Sequence, residues 1–268
     1  MPNPRVTVST LAAMKGRGEP IACLTCYDAS FARLLERAGV EVLLVGDSLG
    51  MVLQGQETTV PVTLDQMVYH CACVARRRDR ALLIGDMPFL TYATRERALH
   101  AAGRLMQEGG VQMVKLEGGA GMVDTVAALT AQGVPVCGHL GLLPQSVHKL
   151  GGYRVQGRDA ASAQTIRDDA LALQRAGAGL LVLECVPAAL AAEVTRALSI
   201  PVIGIGAGAG CDGQVLVLYD MLGVGPDRPP SFSKDFLLGR DDGISGAVAA
   251  YVQAVKARTF PGPEQTPA

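Results

Sequence analysis

Eight short apolar runs recur along the chain, most of them meeting a glycine or a polar residue at their end, with stretches of helical spacing between them. The clearest is Val42-Leu43-Leu44-Val45, unbroken and too short for an independent helix, which suits a strand buried on both faces. The others cover residues 21–25, 81–85, 111–116, 135–138, 180–183, 201–205 and 215–218. Between them apolar residues return at helical spacing: Phe31, Leu34 and Leu35 up to a stop at Gly39, then residues 64–77, 95–107, 122–130 and 163–175. Leu11, Ala12 and Met14 define an opening helix capped by Thr7 or Ser9, and residues 244–255 form a closing amphipathic one. Strands and helices alternating in repeats of roughly 30 residues, eight times over, predict an α/β fold: a parallel (β/α)8 TIM barrel with a short N-terminal helix. Residues 1–268 read as one such domain, with a Pro-rich tail at 261–268 expected to be poorly ordered. The longest polar interruption, residues 141–157, has no sustained period and reads as a functional loop over the strand ends.

In such a barrel the C-terminal ends of all strands meet on one face, so residues far apart in sequence become neighbours. Asp47, Asp86, Lys115, Glu117, His139 and Glu184 all fall there, and Ser48 sits beside Asp47 in the glycine-framed turn Gly46-Asp-Ser-Leu-Gly50. One polar residue after a strand is unremarkable, whereas six in register point to a site. Asp47, Asp86 and Glu117 would repel one another without a cation, and hard oxygen ligands favour Mg²⁺, which keeps positions for water or substrate. An α-keto acid fills two such positions through its carboxylate and keto oxygens. Chelation would polarise the carbonyl and stabilise an enolate, with Lys115 adding positive charge at the oxyanion. Glu184 faces the substrate as a base, or else serves a salt bridge or a supporting hydrogen bond; both readings stand at this point.

Composition narrows the partners. The 268 residues are 49% hydrophobic and 18% charged, enough to bury a large core. A formal net charge of -1 and a pI near 6.4 argue against nucleic acid or an anionic membrane surface as a partner. The N-terminus has no charged leader followed by an apolar core, and no apolar run reaches the roughly 18 to 20 residues of a membrane span, so a cytoplasmic protein is expected. Seven cysteines lie mostly within apolar segments and read as reduced thiols. Cys23-Leu-Thr-Cys26 has redox or zinc spacing, but residues three apart on a strand point to opposite faces. The glycine run from Gly204 to Gly210 lacks a clean Gly-x-Gly-x-x-Gly spacing and reads as a phosphate-binding or close-packing loop. His70, His100 and His148 serve helix faces or the long loop, while Tyr27 and Asp28 are outer candidates at the pocket's border.

Several ordered blocks carry a family resemblance: Cys26-Tyr-Asp-Ala29, Leu44-Val-Gly-Asp-Ser-Leu-Gly-Met51, Gly85-Asp-Met-Pro-Phe89, Val114-Lys-Leu-Glu-Gly-Gly119, Val136-Cys-Gly-His-Leu-Gly141, Gly151-Gly-Tyr-Arg-Val-Gln-Gly157, Leu183-Glu-Cys-Val-Pro187 and Ile203-Gly-Ile-Gly-Ala-Gly208. Together they resemble the ketopantoate hydroxymethyltransferase family. The resemblance implies transfer of a one-carbon unit from 5,10-methylenetetrahydrofolate to 3-methyl-2-oxobutanoate, giving 2-dehydropantoate for pantothenate synthesis. It further implies Asp47, Asp86 and Glu117 as Mg²⁺ positions, Asp47, Ser48, Asp86 and Lys115 as keto-acid contacts, and His139 as a pocket residue. Glu184 matches the proton acceptor, and the family's assembly implies a homo-oligomer, commonly a decamer. Two alternatives differ in class: a Mg²⁺-dependent lyase or mutase of the phosphoenolpyruvate mutase and isocitrate lyase group, and a non-catalytic scaffold. The first would place a reactive cysteine in a loop over the site, and no Lys-Lys-Cys-Gly-His type of block occurs.

Overall fold

Each apolar run becomes a strand because both of its faces find apolar cover. In the computed structural model, which describes residues 4–225 and 229–266, the strands are β1 Ile21–Thr25, β2 Val42–Val45, β3 Leu82–Asp86, β4 Met113–Glu117, β5 Val136–Gly141, β6 Leu180–Glu184, β7 Val202–Ile205 and β8 Gly213–Leu216. They pair in parallel in sequence order, and β8 pairs with β1 to close the barrel. The helices are α1 Val8–Gly16, α2 Ala29–Arg37, α3 Leu49–Val52, α4 Leu64–Ala75, α5 Arg95–Gln107, α6 Val123–Ala131, α7 Val147–Leu150, α8 Ala160–Arg175, α9 Ala188–Ala197, α10 Leu218–Met221 and α11 Gly243–Lys256.

Alternation along the strands sorts the core into two apolar layers. Ile21, Cys23, Val42, Leu44, Leu82, Ile84, Met113, Cys137, Leu180 and Val182 pack together inside the barrel. Val6, Leu11 and Met14 join them, so α1 stoppers the interior, its first turn capped by the Thr7 side chain accepting from the Thr10 N–H. The residues between, such as Ala22, Leu24, Leu43, Leu83, Val114 and Leu181, face the helices.

Two connections differ from the apolar pattern. The eighth strand is Gly213–Leu216 and not residues 215–218, because Gly213 packs against β1 where a Cβ would lie 2.4 Å from the Ile21 carbonyl oxygen. The Leu218 N–H then donates to Thr25 Oγ1 at 2.8 Å, and the chain turns into α10, taking Asp220 onto a helix. The β6–β7 crossover, for which apolar spacing names no helix, is the Ala-rich α9, burying Leu190, Ala191, Val194 and Thr195. Where a poorly ordered end was expected, Phe260 and Pro261 are buried and Pro263–Gln265 forms a 3-10 turn; residues 267 and 268 lie outside the described ones. Among the described residues, no helix is long and apolar enough to cross a membrane.

Closure of the barrel is fastened by α11. The fully buried Tyr251 hydroxyl lies 2.8 Å from the Cys23 carbonyl and 2.9 Å from that of Gln214, donating its one proton across the β1–β8 seam. Lys256 lies 2.6 Å from Glu41 Oε1, whose other oxygen accepts from the Ala22 N–H at 2.9 Å. Tyr251→Phe keeps the ring and removes that donor from two buried carbonyls, so it is expected to destabilise the fold by about 1–3 kcal/mol. Equilibrium urea unfolding measures this, and an unchanged midpoint and slope would show the seam does not depend on the hydroxyl.

Candidate active site

Strand parity builds the site. Asp86 continues the inward series of Leu82 and Ile84, Lys115 and Glu117 that of Met113, His139 that of Cys137, and Glu184 that of Leu180 and Val182. The apolar interior thus gives way to charge within two residues of the strand ends. Asp47 arrives from the turn after β2, where a Cβ on Gly46 would lie 2.8 Å from Ser48 Oγ and displace that hydroxyl.

The polar groups form a continuous array. The Asp47 N–H donates to Asp86 Oδ2 at 3.2 Å, and Asp86 Oδ1 pairs with the Lys115 ammonium. Asp47 Oδ2 accepts from Gln145 Nε2 at 2.8 Å, and the Gln145 N–H donates to Glu117 Oε2 at 3.1 Å. His139 stands between two acids, Nδ1 at 3.5 Å from Glu117 Oε1 and Nε2 at 3.2 Å from Glu184 Oε2. These are ion-pair distances without hydrogen-bond alignment, and Glu117 Oε1 and both imidazole nitrogens have no aligned partner. The Glu184 side chain is 13% exposed, that of His139 only 2%, which leaves Glu184 as the more accessible end of the array. Ser48 Oγ is 2.9 Å from the Tyr27 hydroxyl.

Burial first, and then the charges of Asp86 and Glu117, push the Asp47 carboxyl well above the usual range, against the opposing effects of Lys115 and Gln145. Burial disfavours the Lys115 ammonium, but Asp86, Glu117 and Asp47 outweigh it and hold its pKa above the ordinary value. For Glu117 burial is likewise outweighed, mainly by His139 and Lys115, and its pKa is lowered. Burial and Lys115 both disfavour the imidazolium, yet the carboxylates of Glu117 and Glu184 prevail and raise His139 to about 9.

All the sequence-predicted site residues, Asp47, Ser48, Asp86, Lys115, Glu117, His139 and Glu184, are therefore brought to one mouth. Tyr27 joins them through Ser48, whereas Asp28 is spent capping α2 through the N–H groups of Ser30 and Phe31. His70 Nδ1 is bonded to the Tyr27 carbonyl at 2.8 Å. The glycine run is a packing device: a Cβ on Gly208 would lie 2.6 Å from Ala188 Cβ, and one on Gly210 2.9 Å from Ala192 Cβ. All seven cysteines are free.

A family profile described as ketopantoate hydroxymethyltransferase matches residues 5–263. The chain belongs to this family and is thereby a transferase. A 3-methyl-2-oxobutanoate hydroxymethyltransferase of Halorhodospira halophila is 60% identical over 259 residues, covering 97% of this chain and 94% of that one. One of Thiobacillus denitrificans is 62% identical over 260 residues, covering 97% and 98%. Among solved structures, a putative lyase/mutase of Burkholderia cenocepacia superposes with a TM-score of 0.62 at 18% identity, covering 97% of this chain and 98% of that one. A phosphonopyruvate hydrolase complex with oxalate and Mg²⁺ superposes with 0.59 at 11% identity, covering 78% and 80%. At such identities the likeness is one of fold.

Within the family's site, a cation fits at Asp47 and Asp86. Four carboxylates face one ammonium and one imidazole, and burial with the neighbouring acids disfavours the charged form of Asp47, which a cation would favour. A hard divalent ion needs only one or two such carboxylates when substrate and water complete its shell. A closed protein cage is not formed: among the described residues no group of three His, Cys, Asp or Glu side chains is arranged to hold an ion, Glu117 being turned to His139 and Gln145. Gln145 and Tyr92 are the site residues sequence reasoning missed. Both lie in loops without period, and no spacing marks them.

The His139 shift gives a signed pH dependence. Its folded pKa lies above the unfolded value of about 6.5, so the stability it contributes is present below that pH and is lost as pH rises through about 9. In metal-free protein the advantage of wild type over His139→Gln is expected to fall by about 3 kcal/mol across that window. Urea titrations of both proteins at a series of pH values measure it, and parallel curves would contradict a charged His139.

Proposed function

We propose that the chain transfers a hydroxymethyl group from 5,10-methylenetetrahydrofolate to 3-methyl-2-oxobutanoate, giving 2-dehydropantoate and tetrahydrofolate, with water as the source of the hydroxyl oxygen. The observation that carries this reading is the division of one buried array into two ends. Asp47, Asp86 and Lys115 form one end and Glu184, held against the His139 imidazole, the other, in a chain 60% identical to a relative of that name.

Asp47 and Asp86 would hold Mg²⁺, and Glu117, turned to His139 and Gln145, would reach it only through bound water. When bound, the ion supplies Lewis acidity to the keto and carboxylate oxygens of the substrate. Ser48 donates its hydroxyl to the substrate carboxylate. Lys115, paired with Asp86, adds positive charge where the keto oxygen becomes negative. Glu184 removes the C3 proton, and the C3–H electron pair becomes the C2–C3 double bond of the enolate as the carbonyl pair moves to oxygen. Water adds to the folate-borne methylene carbon and both of its C–N bonds break, leaving formaldehyde and, with the two water hydrogens on its nitrogens, tetrahydrofolate. C3 then bonds to the formaldehyde carbon as that carbonyl pair moves to oxygen, which takes the proton held by Glu184 and becomes the hydroxyl. His139, held between Glu117 and Glu184, orients the base and offsets the charge of both carboxylates.

Exchange of the C3 hydrogen for solvent deuterium, with Mg²⁺ and without folate, isolates the proton transfer. Glu184→Gln is expected to slow it by about 10²-fold or more; equal rates in wild type and variant would remove Glu184 as the base. A lyase or mutase of the phosphoenolpyruvate mutase group, or a scaffold, would leave this exchange at background in wild type. Asp47→Ala is expected to weaken Mg²⁺-dependent binding of the keto acid at least about tenfold. Calorimetry measures this, and unchanged binding would take Asp47 out of the ligand set.

A further inference from the structure

Gln145 stands on the 3-10 turn Pro144–Ser146, inside the long loop that follows β5, and is 4% exposed. Its side chain reaches across the mouth to the ends of two other strands. Nε2 donates to Asp47 Oδ2 at 2.8 Å and to the Met87 carbonyl at 3.0 Å, while Oε1 accepts from the Tyr92 hydroxyl at 2.5 Å. Its backbone N–H donates to Glu117 Oε2 at 3.1 Å. Both amide hydrogens and the amide oxygen are therefore matched. The flipped amide would turn its oxygen onto a carboxylate and a carbonyl, so Asp47, Met87 and Tyr92 fix a single orientation.

The chemistry of this contact is specific. A lysine or arginine at the same place would neutralise Asp47 and compete with a cation for it. A carboxamide donates two hydrogens and carries no charge, so it orients the acid and leaves its charge available. The same residue, through its main chain, sets the position of Glu117.

We propose that Gln145 is a positioning residue: it clamps the loop after β5 onto Asp47 and Glu117 and fixes both carboxylates for a divalent cation. The cation half of this rests on the function proposed above; the clamp half does not. Two measurements separate them, hydrogen exchange of residues 142–157 in the metal-free protein and calorimetric titration with Mg²⁺ alone. Gln145→Leu, similar in size and without donors, is expected to speed exchange of the segment at least about tenfold and to weaken Mg²⁺ binding by about 10- to 100-fold. Tyr92→Phe, which keeps the ring and loses only the hydroxyl, is expected to move both quantities in the same direction by a smaller factor. It carries the test alone if Gln145→Leu does not fold. Wild-type exchange and wild-type affinity in the variants would overturn the proposal. Tighter Mg²⁺ binding by Gln145→Leu would also overturn it, since the amide would then be a competitor. A wild type that takes up no Mg²⁺ overturns the cation reading, while the exchange comparison still decides the clamp.

Discussion

The ion pair between Lys115 and Asp86 is the interaction on which the barrel mouth depends. Both side chains are 5% exposed or less, and they stand opposite one another on adjacent strands, β3 and β4. Asp47 and Glu117 bring two more carboxylates into the same desolvated region. Without an internal cation, that much negative charge would not stay buried as carboxylates; it would draw protons or water. Lys115 makes the acidic layer possible in the folded protein with side chains alone. Its reach is limited, however: Asp47 is still held well above its normal pKa. The site is stable enough to form and still electrostatically deficient in positive charge.

That residual deficit has a direction. On one side Asp47 and Asp86 are linked through a backbone N–H and the Lys115 pair; on the other, His139 sits between Glu117 and Glu184. Gln145 joins the two sides through donors that carry no charge. Acids are therefore oriented throughout while positive charge is supplied at only two points. The backbone after Glu184 is itself unusual. Cys185 has φ 47°, a left-handed conformation that an L side chain adopts at a cost of about 1–2 kcal/mol. Its N–H is held by the Ile205 carbonyl at 2.9 Å and its carbonyl by the Gln156 N–H at 2.8 Å. The bend immediately after the candidate base is thus fixed from β7 and from the long loop.

Much of this was legible in the chain, and the reason is periodicity. A strand covered on both faces must be apolar throughout, so β1 and β2 announce themselves with the bounds they have in the structure. The two-residue repeat then decides which side a terminal acid takes: Asp86 follows Leu82 and Ile84, and Glu184 follows Leu180 and Val182, so both had to point inward. Features without a period were invisible. Gln145 and Tyr92 belong to loops, where a glutamine and a tyrosine have no spacing to betray them. The end of β8 was misplaced because Val217 and Leu218 continue an apolar run, while the hydrogen bond from Leu218 to Thr25 that starts α10 is a tertiary contact. For α9, abundant alanine blurs the contrast between buried and exposed faces.

The barrel itself does not choose the chemistry. A hydrolase and a putative lyase/mutase at 11% and 18% identity superpose on it with TM-scores near 0.6, so the fold is compatible with several reactions. Selection has to reside in the few inward positions at the strand ends and in the loops that hold them. Here Asp47, Asp86, Lys115 and Glu117 come from the ends of β2, β3 and β4, and His139 and Glu184 from β5 and β6, adjacent sectors of one closed ring. A small keto acid spanning those sectors would present its oxygens to one and its C3 hydrogen to the other. Because the ring is closed by hydrogen bonds on every strand, that separation is set by the backbone, with apolar packing on both of its faces.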